Sequence, residues 1–137
     1  NVLEKNTNFR SPRYIYNLLN RIGSKKCALC DCEIPELIQG AHIWPVAQIK
    51  RTNTLSIDDK LRYAIDGNNG IWLCENHHKL FDENLISIST ELKIEINSQI
   101  NDTDRNYISE ITKVKEIEKK YVTDEFIFYL DKRRLTV

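Results

Sequence analysis

Residues 69–82 read Asn-Gly-Ile-Trp-Leu-Cys-Glu-Asn-His-His-Lys-Leu-Phe-Asp, and this stretch decides the fold. The run 66–70 at its start is the strongest turn signal in the chain, because Asp, Asn and Gly favour tight turns. The apolar run 71–74 predicts a short strand, and 75–81 predicts a helix that begins directly after it. A turn, a strand and a helix are thus expected in immediate succession.

Before this stretch, the sequence predicts one strand and two helices. The helix over 12–22 has Ser11 as its expected N-cap and Pro12 at its first position. A strand is predicted over 37–44 and a short helix over 57–64, within a polar connection. The apolar stripe of the first helix is expected to consist of Ile15, Leu18, Leu19 and Ile22.

After this stretch, the sequence predicts a small β-hairpin and two helices. The hairpin strands are expected over 85–89 and 92–96, and the helices over about 103–120 and 124–134. A strand competes with the last helix, because the run 126–129 is rich in β-prone aromatic residues. The longer helix is expected to bury Tyr107, Ile108, Ile111, Val114 and Ile117. Helices and short strands in mixed order make the expected fold class α+β.

Two pairs of residues at metal-ligand spacing lie on either side of the first strand. Cys27 and Cys30 form a C-x-x-C pair, and Cys74 and His77 form a C-x-x-H pair. Such spacing directs two ligands at one metal ion, and a tetrahedral set of three Cys and one His fills all four positions of a structural Zn²⁺. The sequence therefore predicts one structural zinc ion.

Other interpretations of these residues stay open. The C-x-x-C pair could be a thioredoxin-like redox site, although Pro35 stops the helix that such a site needs. Cys74 could be a buried apolar residue and His77 a solvated one. Cys32 is a spare thiol that could replace Cys30 as a ligand or simply pack. Disulfides are disfavoured, because no signal peptide opens the chain.

Composition excludes several classes of protein. Of the 137 residues 41% are hydrophobic and 29% charged, which is typical of a globular domain and not of a disordered chain. No apolar run could span a bilayer, so no membrane partner is expected. The 20 basic residues equal the 20 acidic ones, so overall basicity gives no argument for nucleic-acid binding.

The charge is nevertheless unevenly distributed along the chain. Residues 1–51 contain eight basic and four acidic residues, and residues 111–137 contain seven and five. The middle segment, 52–110, contains five basic and eleven acidic residues. The first and last segments could therefore meet a polyanion.

Three motifs surround the predicted metal ligands: Ala41-His42-Ile43-Trp44-Pro45, Asn69-Gly70-Ile71-Trp72-Leu73-Cys74 and His77-His78-Lys79-Leu80-Phe81-Asp82. In order and spacing they resemble the HNH endonucleases, over about residues 27–88. The subgroup with an Ala-His-Ile-x-Pro block looks closest, and many of its members resemble restriction or other defence nucleases. The resemblance implies a ββα-metal core within a treble-clef-like zinc finger, flanked by helices and a small β-hairpin. The aromatic residues Trp44, Trp72 and Phe81 are expected in the core.

The resemblance implies a role for each of three residues. His42 would be the general base that deprotonates water, a task that suits the near-neutral pKa of histidine. His78 matches a position that ligates a catalytic divalent ion or contacts the phosphate. Asn69 would bind the same ion or hold the loop that orients His42. The implied reaction is DNA phosphodiester hydrolysis with one Mg²⁺ or Mn²⁺, leaving a 5′ phosphate and a 3′ hydroxyl.

One residue departs from the pattern of much of the family. Ala41 stands where an Asp or His often ligates the metal, although the Ala-His-Ile subgroup shares this alanine. Asp82 lies four residues after His78, hence on the same helix face, and could supply an oxygen to the ion. A hydrogen bond at the helix end is the alternative role of Asp82.

Double-stranded DNA is the expected partner, and basic side chains are expected to contact its phosphates. These candidates are Arg10, Arg13, Lys25, Lys26, Lys50, Arg51 and Lys79. Cleavage of both strands would need two active sites, for which a homodimer would be one solution.

We expect residues 1–137 to form a single nuclease domain, of a prokaryotic cytoplasmic type, that acts in restriction or antiviral defence. The sequence contains no Met, which predicts a processed product or a piece of a larger protein whose other domains are its partners. Two alternatives are a catalytically inactive zinc-finger module that binds nucleic acid and a zinc-stapled protein-interaction domain.

Overall fold

The computed structural model describes residues 12–135, so Arg10 and the expected N-cap Ser11 lie outside the described residues. The elements in chain order are α1 (Pro12–Ile22), β1 (Ile38–His42), α2 (Val46–Arg51), α3 (Ile57–Ile65), β2 (Gly70–Cys74), α4 (Glu75–Asp82), β3 (Ile86–Ile88), β4 (Ile94–Ile96), α5 (Asp102–Ile111) and α6 (Asp124–Arg134). Strands β1 and β2 pair in one two-stranded sheet, and β3 and β4 pair in another. The α+β class predicted from the sequence is confirmed.

The described chain separates into two compact units. The His42 unit comprises residues 12–24, 40–71 and 123–135, and the cysteine unit comprises residues 25–39 and 72–122. None of the helices within residues 12–135 is both long and apolar enough to cross a membrane.

Helix α1 of the His42 unit lies at the predicted residues, but it turns a different face inward. Its buried residues are Tyr14, Leu18 and Ile22, which lie four residues apart on one face. Leu19, expected in the apolar stripe, is 41% exposed, so that part of the prediction is wrong. The buried ring of Tyr14 rotates the helix away from the face that the aliphatic residues alone predicted.

Capping residues and one proline determine where the other helices of this unit begin. Helix α3 begins after Ser56, whose hydroxyl accepts a hydrogen bond from the Asp59 amide at 3.1 Å. The competing strand near the end of the chain is absent: α6 forms there, capped by Thr123. Helix α2 was not predicted from the sequence. It begins after Pro45, whose carbonyl accepts the amide hydrogens of residues 48 and 49.

The cysteine unit contains the predicted hairpin with slightly shorter strands. Strands β3 and β4 are antiparallel, with Ile86 opposite Ile96 and Ile88 opposite Ile94. The buried side chains of Ile86 and Ile88 point to the core, while Ser87 between them is exposed. This alternation is what a strand with one buried face requires.

Helix α5 is shorter than the sequence predicted. It is capped by Asn101 and ends at Ile111, so the expected helix over 103–120 is wrong beyond that residue. Tyr107, expected to be buried, is 62% exposed. The following segment, residues 112–118, is extended because its backbone pairs elsewhere: the Val114 amide donates to Leu29, the Ile117 amide donates to Leu92, and the Lys115 carbonyl accepts from Ile94.

Candidate functional site

A knuckle of the backbone positions the first two cysteines in the cysteine unit. The Cys27 amide donates to the carbonyl of Cys32 at 3.0 Å, which folds the chain tightly around Cys30. The Ala28 amide donates to the Trp72 carbonyl at 2.8 Å and ties this knuckle to strand β2. Cys74 ends that strand and caps α4, whose first turn carries His77.

The four predicted ligand atoms lie within 4.8 Å of one another. The Sγ atoms of Cys30 and Cys74 are 3.8 Å apart, and His77 Nδ1 is 3.3 Å from Cys74 Sγ and 3.8 Å from Cys27 Sγ. A zinc tetrahedron with metal–sulfur bonds of about 2.3 Å has edges of about 3.8 Å. The residues therefore fit a structural Zn²⁺, as the sequence predicted.

The second nitrogen of His77 has its own buried partner. Nε2 lies 3.0 Å from the hydroxyl oxygen of Thr112, so a hydrogen on Nε2 leaves the lone pair of the neutral ring on Nδ1, toward the cysteines. Burial also lowers the pKa of His77, which favours the neutral ring that a metal needs. Thr112 thus orients His77 as a metal ligand.

Two of the clustered cysteines, Cys27 and Cys30, favour the thiol form because they are buried. Burial raises the pKa of Cys27 to about 12 and also raises the pKa of Cys30. Zinc binding would therefore displace protons from the cluster. Cys32 is not among the four clustered residues, although it lines a cavity of about 310 Å³ together with Cys30 and Cys74.

His42 lies at the end of β1 in the His42 unit and is only 5% exposed. Its Nε2 is 2.7 Å from the carbonyl oxygen of Ala64 at the end of α3. Since a carbonyl oxygen only accepts, Nε2 carries the hydrogen and the lone pair of the neutral ring is on Nδ1. The ring also stacks on Tyr14, with the centroids 3.9 Å apart and the planes inclined by 12°. His42 is thus fixed in plane and in tautomer.

Asn69 is fully buried at the end of the predicted turn, and its side chain joins two segments of the His42 unit. Its Oδ1 accepts from the Trp44 amide at 2.7 Å, and its Nδ2 donates to the carbonyls of Trp44 and Tyr63 at 3.2 Å each. These contacts hold the chain directly after His42. Of the two roles expected for Asn69, binding the catalytic ion or holding this loop, these contacts describe the second.

His78 follows the last cluster residue on α4 and has polar contacts at both ring nitrogens. Nδ1 is 2.5 Å from Gln39 Oε1, and Nε2 is 3.3 Å from Asp82 Oδ2. Ala41 is completely buried and has no donor atom in its side chain.

The basic residues expected to contact phosphate differ in their solvent exposure and in their contacts with other side chains. Arg13, Lys26, Lys50, Arg51 and Lys79 are exposed. Lys25 is half-buried, with its ammonium 5.8 Å from the centre of the Trp72 ring. Lys79 also pairs with Glu83 at 3.4 Å.

Sequence reasoning missed three residues of these sites: Tyr14, Gln39 and Thr112. Each contacts a histidine through the fold, at a separation of 28 to 39 residues along the chain. Gln39 lies on the predicted strand, but no motif in the sequence included it. No spacing in the sequence pointed to Tyr14 or Thr112. The aromatic residues Trp44, Trp72 and Phe81 are buried, as expected.

Comparison with protein-family models matches residues 27–89 to the family described as HNH endonuclease. The matched segment is a little under half of the chain, and it contains the four clustered ligands and His42, Asn69 and His78. A search of curated proteins finds no match to the chain. The resemblance deduced from the three motifs is confirmed over this segment at the level of the family.

Proposed function

We propose that this protein is a metal-dependent endonuclease that hydrolyses phosphodiester bonds of DNA, with His42 as the general base. The observation that carries this role is the hydrogen bond between His42 Nε2 and the Ala64 carbonyl, 2.7 Å long. Because it places the hydrogen on Nε2, Nδ1 is the atom that takes a proton from the attacking water. The family match over residues 27–89 supports the reaction class.

His78 Nε2 and Asp82 Oδ2 would hold the catalytic Mg²⁺ or Mn²⁺ in this proposal. When bound, the ion supplies positive charge against the scissile phosphate and the leaving 3′ oxygen. Gln39 accepts the hydrogen from His78 Nδ1 and so directs the lone pair of Nε2 toward Asp82. The buried Ala41 contributes no ligand, which gives Asp82 its importance.

Asn69 braces the backbone after His42 and does not touch the reacting atoms in this proposal. The Zn²⁺ of the cysteine cluster is structural, because Cys27, Cys30, Cys74 and His77 fill its four positions. The products would be a 5′ phosphate and a 3′ hydroxyl, in keeping with the single-metal mechanism of the family.

Double-stranded DNA is the proposed substrate, and a role in restriction or antiviral defence is the proposed setting. Exposed Lys26, Lys50 and Arg51 are the proposed phosphate contacts. Target selection would come from other domains of a parent protein, and cleavage of both strands would come from a homodimer. A prokaryotic cytoplasm is the proposed location.

The test is nicking of supercoiled plasmid with Mg²⁺ or Mn²⁺ by the wild type, His42→Ala and His78→Ala. We expect nicking by the wild type to fall at least about 100-fold in His42→Ala, because proton transfer is lost. Equal nicking by the wild type and His42→Ala would refute the assignment of the base. Circular dichroism and zinc content of each variant show whether the fold is kept.

The same samples separate the nuclease from the inactive binding module. Salt-sensitive DNA binding without nicking in either metal would favour the binding module. Absence of both would favour a protein-interaction domain.

A further inference from the structure

Helix α1 lies outside the segment that matches the family, yet it contributes a side chain directly to His42. Tyr14 on this helix is 2% exposed, and its ring is nearly parallel to the imidazole at a centroid distance of 3.9 Å. The parallel stack places the phenol ring against a face of the imidazole. Tyr14 therefore contacts the plane of the His42 ring.

The far end of Tyr14 reaches the residue that braces the loop after His42. Its hydroxyl donates to the Asn69 carbonyl at 3.3 Å, so one side chain contacts both His42 and Asn69. The other end of α1 holds the same turn, since Arg21 donates to the carbonyls of Gly67 and Gly70 at 2.6 and 2.7 Å. The orientation of His42 thus depends on a helix that precedes the matched segment.

Strands β1 and β2 each carry a glycine where they contact the Tyr14 ring. A Cβ atom at Gly70 would come within 2.0 Å of the Tyr14 hydroxyl oxygen. A Cβ atom at Gly40 would lie 3.1 Å from an edge carbon of the same ring. No side chain fits at Gly70 while Tyr14 keeps its place.

We infer that Tyr14 is a positioning residue for His42, an inference that rests on the proposed role of His42 as the base. The stack and the Ala64 hydrogen bond fix two independent rotations of the ring, its plane and its in-plane direction. The π face of tyrosine also attracts the imidazolium that forms when Nδ1 takes the proton of water. A misplacement of about 1 Å at a reacting group can cost about 100-fold in rate, so a loose ring is costly.

Tyr14→Leu removes the stack but keeps an apolar side chain in the core. We expect its kcat for plasmid nicking to fall about 10- to 100-fold with KM within about twofold, because only the geometry of the base is disturbed. Tyr14→Phe keeps the ring and loses the 3.3 Å hydrogen bond to the Asn69 carbonyl, so we expect its kcat to stay within about threefold of the wild type. Tyr16→Leu is the matched control, because Tyr16 lies on the same helix and is 63% exposed.

A spectroscopic measurement tests the same inference without any catalysis. The ¹⁵N shifts of His42 are expected to report the Nε2–H tautomer in the wild type, Tyr14→Phe and Tyr16→Leu. In Tyr14→Leu they are expected to move toward averaged values, because a ring that can tilt loses the alignment of the Ala64 hydrogen bond that holds the tautomer. If the wild type does not cleave DNA, the shifts still decide whether Tyr14 fixes the ring, and only the role of His42 fails.

Two results would overturn the inference. One is a Tyr14→Leu protein with wild-type kcat and an unchanged His42 tautomer. The other is a Tyr14→Phe protein that loses as much kcat as Tyr14→Leu, since the ring alone would then be insufficient. Should Tyr14→Leu fail to fold, the kcat and the ¹⁵N spectrum of Tyr14→Phe still decide whether the ring alone is sufficient.

Discussion

Thr112 is the residue that determines which nitrogen of His77 faces the cysteines. Its hydroxyl lies 3.0 Å from His77 Nε2, and the residue is 2% exposed. Partners of this kind fix the tautomer of a ligating histidine and strengthen its basicity. Since Thr112 lies beyond residue 89, the zinc centre depends on a side chain from outside the matched segment.

Thr112→Val should weaken zinc binding, because the isosteric methyl group cannot accept the hydrogen of Nε2. We expect a loss of about 10- to 100-fold in affinity, measured by competition with a chromogenic chelator. Thr103→Val, an exposed change on α5, is the control and should leave the affinity unchanged. Equal affinities in the wild type and Thr112→Val would show that His77 needs no orienting partner.

At the level of elements, the Asn69 side chain ties the turn between α3 and β2 to the segment that follows β1. Asn69 is fully buried, and both its Oδ1 and its Nδ2 form hydrogen bonds with backbone groups of Trp44 and Tyr63. The turn itself closes with the Asn69 amide donating to the Asp66 carbonyl at 2.9 Å. The segment between β1 and α2 is therefore held by these polar contacts as well as by the buried side chains of Ile43 and Trp44.

Asn69→Ala should destabilise the protein, because it leaves buried backbone groups without partners. The expected loss is about 2–4 kcal/mol in the free energy of unfolding, measured by urea titration. Asn53→Ala, in an exposed turn of the same unit, should change stability by less than about 0.5 kcal/mol. A loss as small for Asn69→Ala as for Asn53→Ala would contradict the bracing role.

Local signals were sufficient for some elements and insufficient for others. Helix α1, strand β2 and helix α4 were predicted to within one residue, because Pro12, the 66–70 turn and the apolar run 71–74 act locally. Helix α5 was predicted too long, because the apolar period continues through Val114 and Ile117 while their backbone pairs with distant residues. The spacing of apolar residues along the chain gives no indication of such long-range pairing.

The same distinction holds for the sites. The four clustered ligands come as two C-x-x-C/H pairs, so spacing indicated all four and left only Cys32 as an alternative to Cys30. Tyr14, Gln39 and Thr112 contact their histidines only after folding, and each is a common residue in an ordinary helix or strand context.

For the molecule as a whole, the zinc ligands all belong to one of the two compact units. Residues 27, 30, 74 and 77 lie within the cysteine unit, whereas His42 and Asn69 lie in the other. In small zinc centres the binding free energy of the ion is part of the free energy of folding. Loss of zinc should therefore affect the two units unequally.

Chelation should increase amide exchange in residues 25–39 and 72–122 more than in residues 40–71. Hydrogen-exchange mass spectrometry of the full chain, with and without a strong chelator, measures this difference. Chelator saturated beforehand with zinc is the control and should have no effect. Uniform acceleration across both units, or none in either, would contradict a structural zinc in the cysteine unit.

The extended segment after α5 limits which part of the chain could be transferred into another protein. Residues 112–118 provide backbone partners for Leu29, Leu92 and Ile94, and Thr112 provides the partner of His77. A graft of residues 27–89 into another scaffold would leave the Leu29 carbonyl without the Val114 amide. It would also leave His77 Nε2 without the Thr112 hydroxyl. The smallest transplantable piece must therefore run through Ile117 and include α1. It must also include α6, because Arg133 Nη1 donates to the Ile43 carbonyl at 3.0 Å.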